Sequence, residues 1–254
     1  MKKLFTLLAL TITFSMNAQM SDNSSGTSAT GSNAVAMGDN TTASGDYSTA
    51  MGRNTTASGI VSTAMGGTTT ASGDYSTAMG YSTTASGYRS TAMGQSTTAS
   101  GTRSTAMGHS TTASGARSTA MGRNTTASDY ASTVIGQYNS SGSSVTNNAT
   151  SFNTANTAFV IGNGTNSSNK SDAFKVMFNG DTTVSNDLTV SGDVVISSDA
   201  RLKSNIVSLG STLPKLLQID GKSYEMKGKQ KIGVLAQEIK EVFPELVSED
   251  DNEM

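Results

Sequence analysis

Apolar and polar positions recur every 14 residues over the central part of this chain. Each recurrence carries a Met-Gly pair, followed by two threonines and an Ala-Ser-Gly segment. A fixed period decides the architecture of a chain, so this pattern predicts a stack of similar units. The methionines in phase are Met37, Met51, Met65, Met79, Met93, Met107 and Met121, and Ile135 continues the series.

Each unit is typical of two short β-strands that end at glycines. Ser-Thr-Ala-Met-Gly and Thr-Thr-Ala-Ser-Gly are both about a strand long, and glycine suits the turn that follows. A helix is disfavoured because glycine, serine and threonine are poor helix formers, and the unit has no heptad of large apolar residues. The repeat therefore predicts a mostly β chain that winds as a parallel β-roll, or solenoid, with one repeat in each coil.

The two faces of each strand differ in character. Alternation places Ala50 and Met51 on opposite faces, so we expect one face inside the coil and the other against a second chain. Variation concentrates in the two residues after the second glycine, which predicts a solvent-facing turn where a binding surface would lie. That slot holds Asp46-Tyr47, Ile60-Val61, Tyr88-Arg89, Thr102-Arg103 and Ala116-Arg117, and the last repeat has Asp129 in place of the glycine itself.

Less regular segments follow the repeats. Residues 139–170 are rich in Asn, Ser and Thr and are expected to form a connector with one last strand at 158–162. Residues 171–197 return to short alternating runs, with turn signals at 179–181 and 191–193. These runs predict a β-stalk, either interleaved among three chains as in phage tail fibres or folded as ordinary hairpins.

Composition and charge narrow the possible functions. Apolar residues make up 35% of the chain and aromatics 6%, too few for a deep core. The net charge of −2 gives no electrostatic case for nucleic acid. Cysteine is absent, which excludes disulfides and thiol catalysis. Half of the 36 charged residues (17 basic and 19 acidic) lie between Asp199 and Glu253, so a boundary is expected near residue 198.

The first 19 residues have the features of a signal peptide. Lys2 and Lys3 precede an apolar run over residues 4–14, and small and polar residues follow up to Gln19. The run is too short to cross a bilayer as a helix, and no later stretch could do so. We therefore expect an exported protein that is extracellular or associated with the cell surface at the outer membrane.

Other interpretations of the repeat fit less well. Strict phase argues against a disordered linker, and a calcium-binding roll needs an acidic ligand in every repeat. Packing explains the methionines better than a metal site, because the single histidine, His109, lies in a variable turn. No metal or cofactor is expected. An ice-binding solenoid that presents its paired threonines as a flat array stays a distant alternative.

The repeat Ser-Thr-Ala-Met-Gly-x-x-Thr-Thr-Ala-Ser-Gly-x-x resembles the head repeats of trimeric autotransporter adhesins, the YadA-like head. The resemblance covers residues 31–136, within a head domain placed at 20–138. It implies a homotrimer with an adhesive role and an unidentified ligand. The C-terminal membrane anchor of that family is not recognisable, so no transmembrane anchor is expected.

The C-terminal part carries an ordered set of motifs. Ser198-Asp199 is followed five residues later by Lys203, and further motifs occupy 223–226, 231–238 and 242–247. Apolar residues at helical spacing predict a short helix that ends at Pro244. A Ser/Lys pair alone is weak evidence, because most are solvated and the chemistry needs a neutral lysine.

Taken together, these motifs resemble the intramolecular chaperone domain of endosialidases and other tail-spike proteins. The resemblance implies a small α+β domain at 198–254 that trimerises the fibre and then releases itself. Ser198 would be the nucleophile, Lys203 the base and Ser198–Asp199 the cleaved bond. The family domain extends beyond its Pro-Glu-Leu-Val motif, so a partial domain is expected here, with an inactive, degenerate copy as the alternative. A tail-spike hydrolase is disfavoured because the upstream aspartates are scattered.

Overall fold

A computed structural model defines the fold in two units, one up to Thr189 and one from Val190 onward. The predicted signal peptide lies outside the described residues. The structure describes residues 20–21, 25–191, 201, 204–208, 210, 212–226 and 228–247.

After two short strands, the first unit alternates five-residue and two-residue strands over residues 35–137. Five-residue strands contain the Met-Gly pairs, and two-residue strands contain the second threonine and the alanine of each repeat. In chain order they are β1 (Met20–Ser21), β2 (Ser28–Ala29), β3 (Val35–Asp39), β4 (Thr42–Ala43), β5 (Thr49–Arg53), β6 (Thr56–Ala57), β7 (Thr63–Gly67), β8 (Thr70–Ala71), β9 (Thr77–Tyr81), β10 (Thr84–Ala85), β11 (Thr91–Gln95), β12 (Thr98–Ala99), β13 (Thr105–His109), β14 (Thr112–Ala113), β15 (Thr119–Arg123), β16 (Thr126–Ala127) and β17 (Thr133–Gln137).

Three strands close the first unit, and the second unit is a small α+β arrangement. The elements are β18 (Thr157–Asn163), β19 (Asp172–Met177), β20 (Thr182–Val184), α1 (Leu213–Leu216), β21 (Lys222–Met226), β22 (Lys229–Gly233), α2 (Ala236–Val242) and a 3-10 helix (Pro244–Leu246).

The repeats form two parallel sheets, one of long strands and one of short strands. Each strand pairs with its equivalents one repeat before and one repeat after, so Met93 lies beside both Met79 and Met107. The short strands pair in the same way, with Ala99 between Ala85 and Ala113. This register confirms the predicted parallel β-roll of 14-residue coils.

Small side chains fill the interior of each coil. Ala92 and Ala99 are fully buried between the sheets, while Met93 points outward and is half-buried. The second strand is shorter than the sequence predicts, because the backbone N–H groups of Ser100 and Gly101 both donate to the carbonyl of Ala113, at 3.0 and 3.1 Å. Sharing one acceptor bends the chain and ends the ladder.

The paired threonines do not form a flat array. Thr97 is fully buried and Thr98 only half-buried, because neighbouring residues of a strand point to opposite faces. The same division holds in the other coils, whose first threonines at 55, 69, 83, 111 and 125 are also buried. The flat array of paired threonines that the ice-binding alternative requires is therefore not formed by these coils, since only one threonine of each pair points outward.

Glycine allows the coils to stack closely. A Cβ at Gly94 would overlap the carbonyl oxygen of Gly108 in the next coil, and Gly94 has a φ of +120°, which side chains rarely adopt. A Cβ at Gly101 would likewise overlap the carbonyl oxygen of Gly115. Both glycines of the repeat are therefore required wherever another coil lies above.

The roll ends where the second glycine of the repeat, which is Gly101 or Gly115 in earlier coils, is no longer present. Asp129 takes the place of glycine in the last repeat, and its buried carboxylate accepts hydrogen bonds from the backbone N–H of Thr146 at 2.6 Å and of Thr157 at 2.8 Å. Asn139 closes the short-strand sheet: its side-chain amide accepts from the N–H of Thr126 at 2.8 Å and donates to the carbonyl of Thr126 at 2.9 Å. These side chains take the place of the next coil.

The connector returns the chain to the long-strand sheet. Strand β18 pairs in parallel with β17, which confirms the last strand expected near 158–162. Strands β19 and β20 then continue the sheet in antiparallel pairing, so this part of the predicted stalk folds as a hairpin within one chain. The run at 188–190 forms no strand, and Leu188 is exposed. The turn expected at 191–193 lies largely outside the described residues.

The glycine of the Met-Gly pair gives a direct test of coil stacking. Replacing Gly94 with Ala should lower the free energy of unfolding of the head by about 1–3 kcal/mol or more, because the Cβ meets a backbone carbonyl and the backbone has a positive φ. The matched control is Gly67→Ala, whose Cβ would meet only the movable ring of Tyr81. Urea unfolding followed by circular dichroism measures both, and equal losses would contradict the stacking constraint.

The end of the roll gives a second test. Asp129→Ala should cost about 1–3 kcal/mol for each N–H left unpaired at Thr146 and Thr157. Asp74→Ala is the control, since its carboxylate accepts from the single exposed N–H of Ile60. Amide hydrogen exchange should show lost protection at Thr146 and Thr157 only in the Asp129 variant. Unchanged exchange at both amides would show that Asp129 does not hold the connector.

Candidate functional site

The predicted cleavage residues fall in a segment that is only partly described. Ser198, Asp199 and Lys203 lie outside the described residues, so their mutual geometry stays a prediction. Arg201 lies between them in sequence and is exposed. The described neighbours of this segment belong to the second unit, which contains the hairpin and helices of the predicted chaperone domain.

The second unit has the local structure that its motifs predict. Strands β21 and β22 form an antiparallel hairpin in which Tyr224 lies opposite Lys231. Helix α2 has Leu235 at its N-cap and ends where the N–H of Phe243 donates to the carbonyl of Ile239 at 2.7 Å. Pro244 then begins the 3-10 helix, which confirms the predicted helix end.

One lysine joins the hairpin to helix α2. The ammonium group of Lys222 lies 2.8 Å from the carboxylate of Asp220 and 3.1 Å from that of Glu238. The hydrogen bond with Lys222 lowers the pKa of Asp220, and the hydrogen bonds with Asp220 and then Glu238 raise the pKa of Lys222. Lys222 and Glu238 are 16 positions apart and no short motif links them, so this pair could not be predicted from the sequence.

This arrangement makes Lys222 unsuitable as a catalytic base. A Ser/Lys dyad needs a neutral amine, and two neighbouring carboxylates hold the proton on Lys222 instead. Its contacts support a positioning role, in which one charge fixes the hairpin against the helix.

The second unit has little core of its own. Phe243 is its single buried hydrophobic residue among those the structure describes, at 5% exposure, and the ammonium group of Lys215 lies 5.3 Å from the centre of its ring. Many large apolar side chains are exposed, which is unusual for a unit that folds alone. They are Ile206, Val207, Leu213, Leu216, Leu217, Ile232, Val234, Leu235 and Leu246.

The first unit carries a second unpartnered apolar surface. The repeat methionines form one continuous column on the outer face of the long-strand sheet, and each is half-buried. Ile135 and Ile161 extend the column in register across β17 and β18. Phe159 of β18 and Phe174 of β19 lie at the end of this sheet, and their ring centres are 6.2 Å apart.

Comparison with known families gives two matches. The family described as the YadA head domain repeat, in two copies, matches residues 29–55, 57–83, 85–111 and 113–139. The family described as the chaperone of endosialidase matches residues 198–248. A search of curated proteins finds no match to this chain.

The matches agree with the structure in period and in position. Each head match covers 27 residues, close to two 14-residue coils, and the four matches follow the coils from 29 to 139. The chaperone match includes Ser198, Lys203, the hairpin and helix α2. The chain therefore joins a head of YadA repeats to a chaperone domain of the endosialidase family.

Proposed function

We propose that this chain is exported and forms an adhesin-like homotrimeric fibre at the cell surface, matured by its own C-terminal domain. In this proposal the chaperone domain brings three chains together and then cleaves itself from them between Ser198 and Asp199. The observation that carries the proposal is the presence of head repeats and this chaperone domain in one chain, together with apolar side chains that are half-buried in the head and exposed in the described part of the chaperone domain.

The head repeats support assembly through their outer face. Alanine and small polar side chains fill the inside of each coil, so one chain buries few large apolar groups. The column of half-buried methionines is flat and in register, which suits packing against the same column of other chains. Burial in a trimer would remove this apolar face from water and stabilise the head.

The chaperone domain supports assembly in a similar way. Its exposed leucines, isoleucines and valines surround a minimal core, and equivalent units from three chains would bury them together. Trimerisation would then precede cleavage, because neighbouring chains would complete the surroundings of Ser198. Loss of the chaperone after cleavage would leave the assembled fibre kinetically trapped.

The cleavage chemistry follows from the residues carried over by the resemblance. The Oγ of Ser198 attacks the carbonyl carbon of Ser198 while Lys203 takes the hydroxyl proton. The bond to Asp199 breaks, and the proton passes from Lys203 to the departing amide nitrogen. The intermediate is a four-membered lactone, because the Oγ and the carbonyl carbon belong to the same residue, and water opens it to leave a carboxylate and a free hydroxyl at Ser198. Arg201 adds a positive charge beside Lys203 in sequence, which favours the neutral amine of that lysine.

Export is proposed from the first 19 residues, which have the charge and apolar pattern of a signal peptide. None of the described helices is long and apolar enough to cross a membrane. Surface location agrees with a head of adhesin repeats.

Cleavage is tested by expressing the full chain and measuring the masses of the products. The wild type should yield an N-terminal fragment that ends at Ser198, whereas Ser198→Ala and Lys203→Gln should stay intact. Ser197→Ala is the matched control and should be cleaved like the wild type. Identical intact masses for the wild type and Ser198→Ala would favour the alternative of a structural fibre with an inactive chaperone domain.

Assembly is tested on the outer face of the head. Sedimentation should give a trimer for the wild type and a shift towards monomer for the double variant Met93→Glu and Met107→Glu, because buried carboxylates would repel one another. The control pair is Gln95→Glu and His109→Glu, which adds the same charge at the exposed last residues of β11 and β13. His109 thus ends a strand and does not lie in the variable turn predicted from the sequence. A monomeric wild type, or equal behaviour of the two pairs, would refute the proposed interface.

A further inference from the structure

One edge of the head concentrates positive charge in the variable turns. Arg89, Arg103 and Arg117 occupy the same slot in three successive coils, and all three are exposed. Coils stack at about 4.8 Å, so the three side chains span about 10 Å along the head. We call this feature, together with Tyr88 and Thr102 in the neighbouring slot, the basic edge.

The three arginines are not neutralised by the protein. Within the described part of the chain, no carboxylate lies within 4.0 Å of any of them; the head ion pair found there joins Arg53 to Asp39 elsewhere. Asp74, the nearest acidic residue in these turns, directs its carboxylate to the N–H of Ile60 in the preceding coil. Like charges stacked at neighbouring coils are unfavourable without a counter-charge, so the basic edge suits an external anion.

The backbone of the same turns can also bind an anion. In two coils an aspartate one repeat later accepts a hydrogen bond from the backbone N–H of this slot: Asp46 from Ser32 and Asp74 from Ile60, both at 2.9 Å. The geometry of the turn therefore holds a carboxylate oxygen against its N–H. Two later coils use carbonyl oxygens instead, with Ala116 donating to Ala149 at 2.7 Å.

At the basic edge this N–H has no protein acceptor. Tyr88 and Thr102 occupy the slot, and the residues one repeat later are Thr102 and Ala116, which supply no carboxylate. Across the described residues, neither N–H donates to a protein oxygen. Each of these N–H groups neighbours an arginine in sequence, Arg89 or Arg103, so a donor and a positive charge occur together in two successive coils.

Aromatic rings flank the cations. The guanidinium of Arg89 lies 4.9 Å from the ring centre of Tyr88 and 5.5 Å from that of Tyr75. Arg117 lies 5.1 Å from the ring of Tyr130 in the next coil. These cation–π contacts restrict the arginines, so less conformational freedom is lost on binding. The exposed tyrosine rings also offer apolar faces for a sugar ring.

We infer that the basic edge binds a linear polyanionic polysaccharide, one that carries sulfate or carboxylate groups along its length. Anionic oxygens accept from the N–H groups of Tyr88 and Thr102, in the position that Asp74 holds in an earlier coil. Arg89, Arg103 and Arg117 pair with the same or adjacent anionic groups. This inference rests on the proposed adhesive function and names the class of ligand.

A polysaccharide fits the edge better than a nucleic acid. The edge is one turn wide and its cations form a single row, whereas nucleic-acid sites combine wide basic surfaces with a strongly basic domain.

Binding is measured with the full chain and fluorescent dextran sulfate as the probe. The double variant Arg89→Gln and Arg103→Gln should bind about tenfold more weakly or worse, because two charge-assisted contacts are lost. The control pair is Arg53→Gln and Arg123→Gln, which removes the same charge from the exposed ends of β5 and β15 and should bind within about twofold of wild type. If both double variants lose the same amount of affinity for dextran sulfate, net charge alone explains the loss and the inference is overturned.

A third variant tests the backbone donors without removing an arginine. Thr102→Asp places a carboxylate one repeat after Tyr88, where it can accept from the N–H of Tyr88 as Asp74 does from Ile60. We expect an unchanged thermal midpoint and about tenfold weaker binding of dextran sulfate. Thr102→Asn is the neutral control and should retain most of the binding. Full binding by Thr102→Asp would refute the anion position.

Competition and sedimentation separate the remaining outcomes. If duplex DNA displaces the fluorescent dextran sulfate at a lower concentration than unlabelled dextran sulfate does, the preferred ligand is a nucleic acid and the inference is overturned. A trimer that does not bind dextran sulfate contradicts the ligand class but leaves the proposed fibre intact. A monomer whose binding depends on Arg89 and Arg103 supports the basic edge and contradicts the proposed assembly.

Discussion

The rest of the structure depends on the parallel hydrogen-bond ladder between successive coils. The interior supplies little else: the buried apolar groups of each repeat are two alanine methyls, worth about 0.8 kcal/mol for each carbon buried. Buried hydroxyls such as those of Ser90 and Thr97 have no hydrogen-bond partner among the described residues, so they do not compensate. Ladder bonds require coils in strict register at strand spacing, and this explains why the glycines cannot vary while the turn residues can.

The constraint of stacking also decides where the repeat is allowed to differ. Residues 88–89 and 102–103 are exposed at the turn, where side chains of different size and charge can be accommodated, although their backbones adopt positive φ at Arg89 and Arg103. Asp129 differs for another reason, because no coil covers its Cβ. Whether another coil stacks on a position therefore accounts for the repeated glycines, for the variable turns and for Asp129 at a glycine position.

The sequence was enough to predict the coil, its period and its two faces, since Ala50 and Met51 alternate in a strictly repeated pattern. It overestimated the second strand, because the shared acceptor at the Ser-Gly bend is a backbone effect that no side chain reveals. The sequence suggested that both threonines of each pair could lie on one flat surface. They do not, because neighbouring residues of a strand point to opposite faces. In the chaperone domain, helix α2 followed from its apolar spacing, whereas the contact of Lys222 with Glu238 depends on tertiary packing. Ser198 and Lys203 rest on the family resemblance and the family match.

Asn139 has a consequence for how the short-strand sheet of the head ends. A short-strand sheet without a cap would present free N–H and C=O groups at Thr126, and such an edge can recruit a strand from any similar chain. The Asn139 amide supplies one acceptor and one donor in the pattern of a peptide group, so the sheet terminates on a side chain. This end of the short-strand sheet is thereby closed to the addition of a strand from another chain.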